Sequence, residues 1–404
     1  MQSDLGYEAI DADNHYYESL DAFTRHLDRR FRERGVQVLQ DGKRVHVVIG
    51  GEVNRFIPNP TFDPIIVPGC IDLMFRGQIP EGTDPRELMK VEPLAEHPEY
   101  RDREARQQVA ADQGLEALLL FPTLGCGVEE ALKGDVEATM ASLSAFNRWL
   151  EEDWGFADGR IIAAPMLSLA DPAAALEELD GLVERGARIV HIRPAPVPGG
   201  HGTSRSLGDK LHDPVWARLA ETGIPVAFHL GDSGYNAFTA MWGGAAKFQA
   251  FGGKANVLGQ FIVADRAIHD TVASLVIDGV FHRHPTLKVA SIENGSDWVA
   301  LLVKRLKKQA NQTPWVFKED PLDQIRRNVW VTPYYEDDIR ALADLIGVER
   351  VLFGSDWPHG EGLAEPLDFV KELHAFDEAE VRRIMRDNAL ELLGPEARGT
   401  STAS

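Results

Sequence analysis

From about residue 110 onward, short apolar runs alternate with amphipathic helical stretches, and this rhythm limits what the chain can fold into. LEALLLFP (115–122), RIIAAPML (160–167), ARIVHIRPAP (187–196), IPVAFHLG (224–231), LKVASIENG (287–295), NVWVTPYY (328–335) and ERVLFGSDW (349–357) read as buried strands. Between them, 134–154, 171–186, 213–223, 264–285, 296–311 and 337–347 carry helical periodicity, and 379–394 closes as a helix. The segment 171–186 opens with Asp-Pro and ends on Gly, as helices do. With a first strand near residue 8, the strands number eight, the others centred near 118, 163, 190, 227, 290, 331 and 353. Apolar strands alternating with helices predict a parallel sheet, and eight such units predict a closed (β/α) barrel. A doubly wound open sheet is the alternative, but no GxGxxG follows the first strand.

The rhythm fails between residues 31 and 100. VQVLQDGKRVHVVIGGEVNRFI alternates apolar and polar residues around Asp41-Gly42, a hairpin signal with room for a third strand, and the Pro-rich PNPTFDPIIVPGC follows. This predicts an insertion after strand one, over the C-terminal mouth of the barrel, acting as a lid or as a dimerisation flap. One barrel domain is expected over 1–395, with a disordered tail over 396–404.

Lys and Arg total 42 against 63 Asp and Glu, a formal charge of −21. That balance disfavours nucleic acid and anionic membranes as partners, while a metal or an Arg can still reverse the sign locally for a small anionic substrate. Cys70 and Cys126 form neither a CxxC nor a disulfide framework, the start MQSDLGYEAID lacks a signal-peptide pattern, and no apolar run reaches membrane-span length. A cytoplasmic protein is expected.

YEAIDADNHYYE places Asp13 and His15 two residues apart at the end of strand one. By strand parity they share a face, with Asp11 one step deeper on it. VAFHLGD supplies His229 at the end of strand five and VLFGSDWPH supplies Asp356 at the end of strand eight. In a β/α barrel the site lies at these C-terminal ends. Asp13, His15, His229 and Asp356 therefore define a candidate divalent-metal site, zinc first with manganese or iron as alternatives. Taken singly, each has a plainer explanation: a strand-end His is commonly a satisfied polar residue, and GSD caps helices. The conjunction of three strand ends favours the metal. A calcium loop fails because Tyr16 and Ala22 occupy the required Gly and Glu positions. No GxSxG elbow or GxxxxGK[ST] loop is present, and His282 and His284 fall on the wrong barrel face.

The strand-one D-x-H, FHLGD, GSDWPH and the closing NALELLG resemble the amidohydrolase-related family that includes aminocarboxymuconate-semialdehyde decarboxylase. The resemblance spans the chain outside the insertion. It implies a distorted (β/α)8 TIM barrel, one divalent metal held by the same four residues, a homodimer, and a non-oxidative decarboxylase or a hydrolase. Several family decarboxylases carry a His at the end of strand six. Here SIENGSDW puts Glu293 there, as base, acid, further ligand, or buried partner of an Arg.

Arg193, in HIRPAP, is a candidate clamp for a substrate carboxylate, or else an ion-pair partner of an acidic neighbour. His269 and His359 are candidate substrate contacts, Tyr235 and Trp242 a candidate apolar wall, and Tyr17 and Glu18 outer supports of the site. Two mechanisms share the site: decarboxylation of a small aromatic or unsaturated acid, preferred on resemblance, and attack of activated water on a carbonyl with Asp356 or Glu293 as base. A barrel that binds metal without catalysis is the third possibility.

Overall fold

The computed structural model describes residues 5–42, 44–244 and 254–394; the tail at 396–404 lies outside the described residues. Seven parallel strands fall where the apolar runs predict them: β1 (Ala9–Tyr16), β2 (Leu115–Pro122), β3 (Ile161–Ala163), β4 (Val190–His191), β5 (Val226–His229), β6 (Val289–Ile292) and β7 (Val329–Val331). They form two four-stranded sheets. One runs β1–β2–β3 and ends on an antiparallel edge strand, Ala157–Asp158; the other runs β4–β5–β6–β7. Single parallel bridges, Met166 to His191, Val331 to Val351 and Asn14 to Trp357, connect the sheet edges and the 351–357 segment.

The expected eighth strand is corrected by the structure. Residues 351–357 pair only at those bridges, although Leu352 N–H donates to the Val331 carbonyl and Ala12 N–H to the Phe353 carbonyl, both at 2.9 Å. The ladder fails because other groups take its bonds. Phe353 N–H goes to the Ile384 carbonyl, and Ser355 N–H to the Asp11 carboxylate at 3.0 Å.

Alternate residues along each strand enter two separate cores. Val226, Phe228, Val289, Val329, Val331 and Phe353 pack outward with the helices. Ile10, Ala12, Leu119, Phe121, Ala227, Ile292, Trp330 and Leu352 pack with one another on the other face, where Ala389, Leu392 and Leu393 of the closing helix join them. This period of two is the pleat. Phe228 is fully buried one residue before His229. Phe228→Ala is expected to cost roughly 3–5 kcal/mol, since it removes a ring and leaves a cavity; urea unfolding measures it, and a loss below about 1 kcal/mol would contradict the packing.

Several helices begin on a capping Asp, among them Asp135, Asp171, Asp338 and Asp377. Asp171 Oδ1 accepts from the N–H groups of Ala173 and Ala174, capping Pro172–Glu184. The helix expected over 264–285 is two, Arg266–Ile277 and Val280–Arg283, divided at Gly279, whose φ of +74° interrupts helical geometry. Helices Arg103–Asp112, Lys254–Val263 and Pro321–Asn328 lie in stretches where no element was expected. No described helix is long and apolar enough to cross a membrane.

The 31–100 insertion contains the expected hairpin. Val36–Asp41 pairs antiparallel with Arg44–Ile49, and Glu52–Val53 adds a third strand. Val36, Val47 and Ile49 pack into the main core beside Leu132 and Phe146. Further along, Phe62 stacks on Tyr17 at 4.4 Å between centroids and shares a cluster with Ile65, Tyr100 and Trp357. The insertion thus rests on the residues that follow His15 and Asp356.

Candidate metal centre

A register shift between Asp11 and Asn14 reverses the parity of β1. Before it, Ile10 and Ala12 join the inner cluster; after it, His15 pairs with the inner-facing Phe121 and Tyr16 joins the outer core. Such bulges re-aim side chains. Here the effect is to turn Asp13 and His15 inward while leaving Asp11 aside, so the shared-face expectation for Asp11 fails. Its carboxylate is engaged by Asp13 N–H, Ser355 N–H, Ser355 Oγ and Asn14 Nδ2.

Asp13, His15, His229 and Glu293 each present one donor atom within 4.8 Å of the others, an arrangement that can hold a metal ion. His15 Nε2 lies 3.5 Å from Asp13 Oδ1, 3.5 Å from Glu293 Oε2 and 3.4 Å from Asp356 Oδ1. His229 Nε2 lies 3.4 Å from Asp13 Oδ1 and 3.2 Å from Glu293 Oε2. Asp13 Oδ1 and both Nε2 atoms are buried without a hydrogen-bond partner. Orphaned buried polar atoms are costly, and a shared cation would satisfy all three at once. His229 Nδ1 sits 2.8 Å from the Leu230 carbonyl, so Nδ1 carries a proton and Nε2 is the ring atom turned to the cluster. The donor set of two imidazoles and carboxylates suits a divalent ion of the zinc, manganese or iron(II) type.

Asp356 completes a second group with His15 and His359; His359 Nδ1 is 2.6 Å from Asp356 Oδ1 and its Nε2 is 3.3 Å from Thr123 Oγ1. Glu293 and Asp356 both adopt φ near +55°, unusual for non-glycine residues. The turn brings Glu293 inward although it directly follows the inner-facing Ile292, and such strain is typical of functional positions. Thr332 Oγ1 accepts from Glu293 N–H at 3.1 Å, and Tyr334 Oη donates to the Glu293 carbonyl at 2.8 Å, holding that turn. Gly354 must stay bare, because a Cβ there would meet Asp13 Cβ at 2.6 Å. Gly354→Ala is expected to displace Asp13 and lower metal content in the purified protein by more than half, read by elemental analysis; full metal loading would refute the placement.

Burial pushes His15 down to about 3, and it pushes Glu293 up to about 7. Burial also holds Asp356 well above the usual carboxylate range, helped by repulsion from Glu293. For His229 burial works the other way, yet the Asp13 carboxylate outweighs it and holds the imidazole well above its ordinary value. Protons thus sit where a cation would. Burial likewise raises Asp11 to about 7. A carboxyl raised by folding stabilises the fold below its unfolded value near 4, and this contribution is lost as pH rises through about 7. The metal-stripped chain is therefore expected to melt at lower temperature at pH 8 than at pH 5, and added divalent ion to reverse the trend. Thermal melts with and without metal check this; a stripped chain that gains stability between pH 5 and 8 would count against it.

The other expected site residues are placed differently. Arg193 is buried, and its guanidinium is engaged by Glu130 at 2.5 Å, Glu129 at 3.5 Å and the carbonyls of Asp232 and Pro196. Of the two roles expected for Arg193, the ion pair with an acidic neighbour is the one these contacts make. His269 pairs with Asp270 at 2.8 Å, faces Arg305 at 3.3 Å and belongs to neither candidate metal group. Tyr235 Oη donates to Asp270, and Trp242 is 71% exposed. Trp242 follows helix Asn236–Ala240, which packs on helix Lys254–Val263. Glu18 accepts from Leu124 and Gly125 N–H and shapes the loop after β2, and Tyr17 backs His359 at 6.1 Å between rings. His284 pairs with Asp213 at 3.2 Å and His282 lies 3.5 Å from Glu319, neither in the cluster.

Sequence reasoning missed three groups next to the site. Cys126 Sγ lies 3.8 Å from His229 Nδ1, the buried His191 ring is 5.9 Å from that of His229, and the buried Arg106 donates to the His15 carbonyl. His191 was visible in the strand motif VHIRP, two residues before Arg193. Cys126 and Arg106 left no comparable mark.

The chain belongs to the amidohydrolase family, whose model matches residues 10–394. It is an enzyme of the amidohydrolase superfamily. An amidohydrolase from Mycobacterium avium subsp. paratuberculosis K-10 is 62% identical, covers 96% of this chain and 99% of its own, and superposes with a TM-score of 0.92. A 2-amino-3-carboxymuconate-6-semialdehyde decarboxylase of Dictyostelium discoideum is 28% identical over 129 residues, 30% of this chain and 35% of the relative, so the match spans about a third of that protein. At the level of fold alone, a dihydroxybenzoic acid decarboxylase from Polaromonas sp. JS666 with bound manganese is similar: 14% identical, with 97% and 99% of the two chains covered and a TM-score of 0.59.

Proposed function

We propose that the protein is a metal-dependent non-oxidative decarboxylase of a small aromatic or unsaturated carboxylic acid. The observation that carries this reading is the convergence of Asp13 Oδ1, His15 Nε2, His229 Nε2 and Glu293 Oε2, three of them unpartnered, beside the Asp356–His359 pair. Asp13, His15 and His229 would hold the ion, with Asp356 and Glu293 at its edge; zinc is preferred, with manganese or iron as alternatives. When bound, a divalent ion supplies positive charge that holds the substrate carboxylate and a neighbouring oxygen. The bond from the ring or alkene carbon to the carboxyl carbon breaks, its electron pair stays on the substrate carbon, and carbon dioxide leaves. That carbon takes a proton from the Glu293 or Asp356 carboxyl, which recovers one from solvent. His359 Nδ1, 2.6 Å from Asp356 Oδ1, keeps that carboxyl oriented.

We read the two sheets and the 351–357 segment as one distorted (β/α)8 barrel, a single domain capped by the 31–100 insertion as a lid. The three parallel bridges and the inner cluster shared by strands of both sheets support it. A cytoplasmic homodimer is proposed, supported by the exposed apolar side chains Phe238, Met241, Trp242 and Phe261; light scattering in solution tests the oligomer.

Glu293 also favours a second reading, hydrolysis, because a carboxylate at that position can act as a base toward water. Incubation with a panel of aromatic and unsaturated acids, esters and lactones separates the two. Metal-dependent release of carbon dioxide supports the lyase. Incorporation of oxygen from labelled water without carbon dioxide would replace it with the hydrolase.

A further inference from the structure

Beneath the donor cluster lies a chain of buried polar bonds that the proposed chemistry does not use. Arg106, on helix Arg103–Asp112, is fully buried. Its Nη2 donates to Asn14 Oδ1 at 2.6 Å and to the His15 carbonyl, and its guanidinium lies 4.0 Å from the centre of the Trp357 ring. Asn14 Nδ2 in turn donates to Asp11 Oδ2 at 2.8 Å. Asp11 Oδ1 accepts from Asp13 N–H at 3.1 Å and from Ser355 N–H at 3.0 Å, while Ser355 Oγ donates to Oδ2 at 2.5 Å.

The bonds are consistent in their targets. Asp13 and His15 are held by their own backbone atoms, and Asp356 is held through its neighbours Ser355 and Trp357. The clasp therefore crosses the seam between β1 and the 351–357 segment, where a continuous ladder is missing and the two are joined by the Asn14–Trp357 bridge and by single backbone bonds, Ala12 N–H to the Phe353 carbonyl, Asp356 N–H to the Asp13 carbonyl and His15 N–H to the Trp357 carbonyl. A buried guanidinium is costly, and Arg106 Nε and Nη1 make no hydrogen bond among the described residues. The indole face and the Asp11 carboxylate, reached through Asn14, offset part of that cost.

We propose that Arg106 is a positioning residue: acting through Asn14, Asp11 and Trp357, it sets the spacing of Asp13 and His15 against Asp356, and with it the affinity and geometry of the metal centre. The inference rests on the metal-centre reading above. Groups behind the ligands of metal sites commonly change metal affinity by about 10–100-fold when removed.

The test compares wild type, Arg106→Met, Arg106→Lys and Ser355→Ala, each purified, stripped, and titrated with zinc against a chromophoric chelator and with cobalt(II) for its visible spectrum. Arg106→Met is expected to weaken zinc binding by about 10–100-fold and to change the cobalt spectrum. Arg106→Lys, which keeps the cation and one donor, should recover part of the affinity, a rescue that general loss of stability would not give. Folded Arg106→Met with wild-type affinity and spectrum overturns the proposal. If Arg106→Met does not fold, Ser355→Ala decides: weakened zinc binding supports the clasp, and unchanged binding overturns it. Wild type that binds neither metal would instead overturn the metal-centre reading itself.

Discussion

Stripping the purified enzyme with a chelator is expected to lower turnover by about three powers of ten, and readdition of a divalent ion to restore it. The size follows from the charge the site must manage. Asp13, Glu293 and Asp356 face one another across two imidazoles that burial and neighbouring charge hold at opposite extremes, His15 low and His229 high. Without a cation the pocket relieves its repulsion by keeping protons on Glu293 and Asp356, and the divalent charge that would hold the substrate carboxylate is gone. Several kcal/mol of transition-state stabilisation are lost together with the ion, and each 1.36 kcal/mol is about tenfold in rate. Turnover of a saturating acid substrate, measured before stripping, after it, and after separate additions of zinc, manganese and iron(II), checks the expectation. Full activity in protein shown to be metal-free would remove the basis of the proposed chemistry. The ion that restores the most activity also ranks the three candidates, which a mixed nitrogen and oxygen donor set does not.

What could be read from the sequence was chemistry at the strand ends. His229 ends a four-residue strand, Asp356 follows the apolar run VLF, and Asp13 and His15 flank Asn14, so residue type and position marked them as candidates; Asp13, His15 and His229 fall in one group with Glu293, and Asp356 in a second with His15 and His359. In β1, alternation alone does not place every side chain. Strict alternation would group Asp11 with Asp13 and His15, but the register shift separates them and makes Asp11 a brace. A bulge depends on which carboxylate captures which backbone N–H, and a period of two has no place for it. The eighth strand failed for a related reason, since Asp11 and the Ile384 carbonyl take bonds a ladder would need. Arg193 shows the opposite limit. Its position at a strand end suits a substrate clamp, but Glu129 and Glu130 lie more than sixty residues away in sequence, and only the fold shows that they pair with it.

Replacing Glu293 by Gln is expected to lower kcat by about two to four powers of ten, the usual contribution of a positioned proton donor or base, while leaving metal content near wild type. Glutamine keeps the size of the side chain and a carbonyl oxygen for the cluster, so the variant removes the exchangeable carboxyl proton and charge while disturbing packing little. Three features make the proton the dominant loss. The side chain reaches both imidazoles, at 3.5 Å from His15 Nε2 and 3.2 Å from His229 Nε2. Its backbone is held in a strained turn by Thr332 and Tyr334, so the carboxyl has little freedom to leave the site. Burial raises it to about 7, where a carboxylic acid can give up a proton and regain it near neutral pH. Metal content and kcat measured on the same preparation separate the possible roles. Low kcat with full metal makes Glu293 the proton carrier. Loss of both makes it chiefly a ligand, and Asp356, paired with His359, then becomes the donor to test next. Wild-type kcat with full metal would dismiss Glu293 from the chemistry, and the strained turn that presents it would need another explanation.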